Sequence, residues 1–116
     1  MLTGSLDAKI YLCTGRTDMR KGCSGLAALA STILENGISS GALFVFRGTN
    51  ADKIKVLYWD GQGFCLFYKC LDRGKFIWPS GDDKSPIGVT RAQLSMLLEG
   101  IDWRNPQWTS PPEYTG

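Results

Sequence analysis

Histidine is absent from this sequence of 116 residues, and long apolar runs are missing as well. Without histidine, the chain lacks the commonest general base and the Ser-His and Cys-His pairs that activate a nucleophile. No apolar stretch approaches the roughly 20 residues of a membrane-spanning helix. The first residues, MLTGSLDAK, also lack the charged and apolar regions of a signal peptide. We therefore expect a cytoplasmic protein that does not bind membranes.

The spacing of the cysteines matches no common metal motif. Four cysteines occur without any C-x-x-C pair, at Cys13, Cys23, Cys65 and Cys70. The lack of histidine removes the mixed Cys/His zinc site, and the cytosol keeps thiols reduced. We expect buried free thiols, no disulfide framework, no metal and no cofactor.

Size and charge indicate one globular domain with an uneven distribution of basic residues. A chain with 43% hydrophobic and 21% charged residues can bury a real core. We expect residues 1–104 to form a single α+β domain and the proline-rich residues 105–116 to form a loosely attached tail. The net charge is only +2, but residues 9–78 contain ten basic against five acidic residues. The basic character belongs to the first two-thirds of the chain.

Short segments of alternating polarity predict strands that are separated by tight turns. The predicted strands are residues 9–13, 42–47, 53–59, 64–71 and 75–78. Residues 80–88 break the pattern and are predicted to be a loop. Because the connections from residue 42 onward are short, consecutive strands there should pair antiparallel.

Two amphipathic segments predict helices. In the first, Thr17 or Asp18 is a candidate cap, and Asn36-Gly37 is the stop signal. Gly22 and Gly25 would be costly inside this helix, which indicates either close packing or a later helix start.

The second helix should begin with a capping box. Thr90 and Gln93 have the required spacing, and an apolar stripe continues from there to Ile101. The resulting order, β-α-β-β-β-β-α, predicts an antiparallel β-meander of three to five strands with two helices packed on one face.

The other sheet face is then predicted to carry basic and aromatic side chains. Alternation within residues 53–59 places one set of side chains on that outward face, namely Lys53, Lys55, Leu57 and Trp59. Further basic residues lie on adjoining strands and turns, at Arg47, Lys69, Arg73 and Lys75. This combination is typical of a surface that binds nucleic-acid phosphates and stacks bases. An ordinary solvated sheet face is the alternative, because charged residues are usually exposed.

The segment TGRTDMRKG, residues 14–22, gathers Arg16, Arg20 and Lys21 around Asp18. Backbone N–H groups at a helix start favour an anion, whereas cations there oppose the helix dipole. The segment is therefore a candidate anion site. The alternative is a solvated helix start in which Asp18 pairs with Arg16 or Lys21.

Six ordered segments resemble one known family. They are TGRTDMRKG, GLAAL, LFVFRG, KIKVLYWDGQGFCLF, LDRGKFIWP and QLSMLLEGIDWRNP. They resemble the TnpB (Orf-two) accessory proteins of bacterial insertion-sequence family sixty-six, which are distinct from the RNA-guided nuclease of the same name. The resemblance spans residues 9–106. It departs from the family at Cys23, where members have a large apolar residue, and at Cys70, where they have a basic one.

The resemblance implies an accessory protein encoded beside a separate DDE-type transposase, needed for efficient transposition and without established catalytic activity. Its implied partners are transposon DNA, the transposase or a second accessory protein. We expect DNA binding through the basic residues and Trp59; an adaptor that contacts only protein is the alternative. Catalysis is not expected, because the candidate carboxylates Asp60 and Asp72 lie in tight turns where aspartate serves conformation.

Overall fold

The structure is a computed structural model that describes residues 9–33, 42–79 and 86–104. It contains, in chain order, β1 (Ile10–Arg16), α1 (Cys23–Ile33), β2 (Leu43–Arg47), β3 (Lys53–Trp59), β4 (Phe64–Cys70), β5 (Ile87–Val89) and α2 (Arg91–Leu98). The predicted α+β class is confirmed. The predicted tail at 105–116 and the helix stop at Asn36-Gly37 lie outside the described residues.

The strands form one mixed sheet in the order β4-β3-β2-β1-β5. The hairpin pairs β2–β3 and β3–β4 are antiparallel, as the tight turns predict. The first strand breaks the predicted pattern, because β1 pairs with β2 in parallel. A parallel pair needs a crossover connection rather than a turn, and α1 lies in that connection. The prediction of a purely antiparallel sheet is therefore wrong.

The fifth strand comes from a different segment than the pattern predicts. Residues 75–78 form no strand. Instead, Phe76 is buried in the core, and its backbone N–H donates to Ala51 O at 2.7 Å. The end of the predicted loop, together with Val89, forms β5 instead, which pairs antiparallel with β1 at the edge of the sheet. A strand of three residues is too short to show a clear alternation.

Both faces of the sheet are covered, one by each helix. The α1 side has a core of Cys13, Leu26, Ala30, Ala42, Phe44, Phe46 and Leu57. The α2 side has a core of Ile10, Leu12, Leu43, Val45, Ile54, Val56, Phe76, Leu94, Leu97 and Trp103. The prediction that both helices pack on one face is therefore wrong. The supposedly outward set on β3 includes Leu57, whose exposure is 0%.

The first helix begins later than its first candidate cap. It starts at Cys23, and Leu26 N–H donates to Gly22 O at 3.0 Å. Thr17 and Asp18 are therefore not helix caps, and the later start indicated by the glycines is correct. Gly22 thus precedes the first helical residue, a cap position where glycine is tolerated because it adopts non-helical backbone angles without strain.

The second helix has the predicted beginning and an earlier end. Gln93 N–H donates to Thr90 Oγ1 at 3.1 Å, and Thr90 N–H donates to Gln93 Oε1 at 2.9 Å. At the other end, Gly100 has φ +78°, and Ile101 N–H donates back to Met96 O at 2.9 Å. This left-handed termination directs Ile101 away from the predicted apolar stripe and leaves it 49% exposed.

The cysteines are free, as predicted, but they are not all buried. Cys13 is buried and Cys70 is exposed, whereas Cys23 and Cys65 are half-buried. Burial raises the pKa of the Cys13 thiol to about 12, so this thiol stays protonated and unreactive near neutral pH. Cys70 lies on the edge strand β4, which explains its exposure.

Because the two cores are separated by the sheet, substitutions in them should act independently. We expect Leu26→Ala to lower the free energy of unfolding by about 2–5 kcal/mol and Ile54→Val by about 0.5–1.5 kcal/mol. In urea denaturation, the double variant should lose the sum of the two within about 0.5 kcal/mol. Val45→Ala with Val56→Ala is the coupled control, because these residues are cross-strand partners. Strong coupling between Leu26 and Ile54 would contradict the two-core arrangement.

Candidate nucleic-acid interface

Lys55, a predicted phosphate contact, is buried inside the protein. Its side chain lies on the α1 side of β3, and the residue is only 7% exposed. The Nζ group donates to Met19 O at 2.7 Å and to Lys21 O at 2.9 Å, and it lies 4.7 Å from the Tyr68 ring centroid. Lys55 therefore satisfies two carbonyls and holds the chain before α1 against the sheet. Its expected position on an outward face is wrong.

Lys69 makes an equivalent contact on the opposite side of the sheet. Its Nζ group donates to Leu98 O, the carbonyl of the last residue of α2, at 2.6 Å. A cation at a helix C-terminus satisfies a free carbonyl and interacts favourably with the helix dipole. Lys69 thus ties α2 to β4 rather than extending into solvent.

Arg47 and Trp59 are also partly enclosed. The Arg47 guanidinium lies 6.0 Å from the Trp78 ring centroid, and its Nη1 donates to Gly48 O at 3.3 Å. Within the described part of the chain, its buried Nε meets no acceptor. Trp59 is half-buried, and its ring makes an edge contact with Phe64 at 5.0 Å between centroids.

The segment at residues 14–22 is a strand end followed by a turn, not a helix start. The pairing of β1 with β2 shifts between Cys13 and Arg16, so that Arg16 becomes the partner of Arg47. Thr17 N–H then donates to Arg47 O at 2.9 Å. Arg16 lies well before Cys23, where α1 begins, so the helix-dipole argument does not apply to Arg16.

Within the predicted cluster, Asp18 pairs with Arg20 and not with Arg16 or Lys21, the partners named for a solvated helix start. Both carboxylate oxygens accept from the Arg20 guanidinium: Nε donates to Oδ1 at 3.0 Å and Nη2 to Oδ2 at 2.8 Å. The backbone N–H of Arg20 also donates to Oδ1 at 2.9 Å. The hydrogen bonds from Arg20 hold the pKa of Asp18 well below its usual range. The carboxylate therefore stays ionised and orients a guanidinium that is 91% exposed.

The same contact recurs near the end of the described chain. Arg104 Nε donates to Asp102 Oδ1 at 3.1 Å, Nη2 donates to Oδ2 at 3.2 Å, and the Arg104 backbone N–H donates to Oδ1 at 3.1 Å. In both copies an apolar residue separates the acid from the arginine. Trp103 is 5% exposed and donates from Nε1 to Ile77 O at 2.7 Å. Sequence reasoning missed this Asp-apolar-Arg clasp, although its repetition in TGRTDMRKG and EGIDWRNP is a visible signal.

Basic residues collect at one end of the sheet. That end combines the last residues of β1, β2 and β4 with the first residue of β3. Leu71 N–H donates to Asp52 O and Phe76 N–H to Ala51 O, which brings the turn after β4 beside the β2–β3 turn. We call this region the basic end; its basic residues are Arg16, Arg20, Lys21, Arg47, Lys53, Arg73 and Lys75. Three acidic residues accompany them, at Asp18, Asp52 and Asp72.

The basic end contains a cleft between the turn after β1 and the β2–β3 turn. Its volume is about 390 Å³. The lining residues are Arg16, Thr17, Asp18, Met19, Gly48, Thr49, Asn50, Asp52 and Lys53. Of the predicted phosphate contacts, this cleft brings together only Arg16 and Lys53.

The two carboxylates considered as catalytic candidates, Asp60 and Asp72, both lie in turns. Asp60 Oδ1 accepts from Gln62 N–H at 2.8 Å and Gly63 N–H at 2.9 Å, and these bonds lower its pKa. Asp72 is exposed in a turn. Across residues 9–33, 42–79 and 86–104, no three His, Cys, Asp or Glu side chains group closely enough to hold a metal ion. None of the helices within these ranges has the length and apolar character to cross a membrane.

Comparison with known proteins places this chain among proteins of transposable elements. The IS66 Orf2-like protein family matches residues 8–108, and the chain belongs to that family. The uncharacterized protein y4hO of Sinorhizobium fredii is 47% identical over 116 residues, which cover all of both chains. The uncharacterized protein y4jC of the same organism is 36% identical over 103 residues, or 89% of this chain and 87% of the relative. No solved structure matches significantly. The family resemblance inferred from the sequence is confirmed.

Lys55→Met tests the structural role of the buried ammonium. Methionine preserves the packing of the aliphatic part of the lysine side chain but removes the ammonium that donates to the carbonyls of Met19 and Lys21. We expect a loss of about 2–3 kcal/mol in unfolding free energy, measured by urea denaturation. Lys75→Met is the control; this residue is exposed, and its variant should stay within about 0.5 kcal/mol of the parent. Equal stability of the two variants would show that Lys55 is not an anchor.

Proposed function

We propose that this protein is a non-catalytic accessory protein of DNA transposition that works with a separate transposase in the bacterial cytoplasm. Membership of the IS66 Orf2-like family supports the association with transposition. We further propose that the protein binds transposon DNA directly and that the basic end is the contact surface.

The observation that carries DNA binding is the concentration of exposed cations at the basic end. Arg16, Arg20, Lys21, Arg73 and Lys75 are exposed there, and Lys53 is half-exposed. Lys55 and Lys69 are excluded from the proposed surface, because their ammonium groups are bonded to backbone carbonyls. A cluster of like charges on one side of a small protein attracts the phosphate backbone and is sensitive to salt.

An adaptor role is the second candidate, and the edge strand β4 supports it. Phe64 is 37% exposed and Tyr68 is 47% exposed, and both lie on this strand. Exposed aromatic residues are common at protein interfaces. In this alternative, the transposase or a second accessory protein contacts β4, and the basic end meets an acidic protein surface instead of DNA.

A salt titration distinguishes the two candidates. We expect the affinity for a transposon-end duplex, measured by fluorescence anisotropy, to fall linearly with salt on logarithmic axes. Arg16→Ala and Lys75→Ala should each weaken binding and reduce that slope by about one, because each removes one phosphate contact. Both residues are exposed, so the melting temperatures should stay close to that of the parent.

Arg91→Ala is the matched control for this titration. Arg91 is exposed at the first position of α2 and lies outside the basic end, and its loss changes the net charge by the same amount. Equal effects of all three variants would contradict the assigned surface and leave only a net-charge effect. No binding of any duplex at low salt would favour the adaptor, whereas equal binding of unrelated duplexes would indicate DNA binding without sequence preference.

A further inference from the structure

The cleft at the basic end has two walls that are fixed against each other. One wall is the turn after β1, and the other is the β2–β3 turn. A Cβ atom built on Gly48 would lie 2.9 Å from Met19 Cγ, so a larger residue at position 48 would displace the Met19 side chain that packs against this turn. Lys55 holds the first wall from behind through the Met19 and Lys21 carbonyls. The cleft is therefore part of the packed structure.

We propose that this cleft binds one phosphate group of a nucleic-acid backbone between Arg16 and Lys53. The proposal rests on the DNA binding proposed above and assigns one phosphate of that DNA to a particular position. A volume of about 390 Å³ accommodates a phosphodiester. Thr49 and Asn50 are exposed on the cleft wall and supply hydroxyl and amide donors beside the two cations.

The first argument is the pairing of two arginines on neighbouring strands. The shift between Cys13 and Arg16 makes Arg16 the partner of Arg47. This pairing brings two arginines close together at one end of the sheet and concentrates positive charge beside the cleft. Arg47 is partly enclosed against Trp78 and so is restricted in moving away. An anion beside Arg16 is attracted by this local concentration of positive charge.

The second argument concerns the two acidic residues that line the cleft. Asp18 does not neutralise Arg16, because both of its oxygens accept from Arg20. Asp52 faces Lys53, but both carboxylate oxygens lie 3.4 Å from Lys53 Nζ. Such a distance indicates a weak contact between two half-exposed side chains, which a phosphate can replace. Asp52 therefore competes with the ligand for Lys53 and lowers the affinity of the cleft.

Two substitutions in the same cleft should have opposite effects. With inorganic phosphate as the probe, we expect two-dimensional NMR to show shifts of the amide signals of residues 48–52 and Thr17. Arg16→Ala should weaken phosphate binding by about tenfold, because it removes a charge-assisted hydrogen bond. Asp52→Asn should strengthen it several-fold, because the competing carboxylate is removed. Arg91→Ala is the control and should leave phosphate affinity unchanged.

The same variants are then tested with a transposon-end duplex, after thermal melts have verified their folding. Parallel changes in phosphate and duplex affinity would support the proposal. Phosphate-induced shifts that avoid residues 48–52, or a change of the same sign in Arg16→Ala and Asp52→Asn, would overturn it. If the duplex binds Asp52→Asn no better and Arg16→Ala no worse than the parent, the cleft assignment fails and DNA binding stands. If phosphate occupies the cleft but no duplex binds at low salt, the proposed DNA binding fails and the anion site stands.

Discussion

The parallel pairing of β1 with β2 determines where the other elements of the protein lie. Because the two strands run in the same direction, their last residues, Arg16 and Arg47, meet at the same end of the sheet. Two hairpins then bring the first residue of β3 and the last residue of β4 to that end. The pairing also requires a crossover, and α1 covers one face of the sheet as part of it. The basic end is thus a consequence of strand direction.

Two lysines on the sheet stabilise the fold by donating to backbone carbonyls in the turn before α1 and at the end of α2. Lys55 bonds to the turn before α1, and Lys69 bonds to the last residue of α2. A buried carbonyl without a donor costs more than a typical hydrogen bond contributes, so these contacts are hard to replace. Counting basic residues in the sequence overestimates the binding surface, because it does not separate such anchors from cations that remain exposed.

The sequence predicts what local chemistry decides and fails where long-range packing decides. The β2–β3–β4 meander and the Thr90–Gln93 capping box are predicted, because tight turns and caps need particular residues at fixed spacing. The parallel pairing has a signal of its own, because a helix predicted between two strands is typical of a parallel β-α-β unit, and the extension of the antiparallel meander to β1 overlooks it. The prediction that this side of β3 faces outward is also wrong. Lysine is usually a surface residue, yet α1 and the turn before it enclose Lys55.

The same contrast between local chemistry and long-range packing applies to the candidate site. A sequence motif located Arg16 and Asp18, but the pairing of Asp18 with Arg20 and the opposition of Arg16 to Arg47 depend on the turn and the strand register. The Asp-apolar-Arg clasp explains how this turn can be rigid without a helix cap. The carboxylate accepts from the backbone N–H of the arginine, which closes the turn, and it also orients the guanidinium. The apolar residue between the acid and the arginine packs inward. At the basic end this arrangement leaves Arg16 without a carboxylate partner in the described residues, because the nearest acid in sequence is already bound to Arg20. An exposed arginine whose neighbouring acid is engaged elsewhere is suited to an anion from outside the protein.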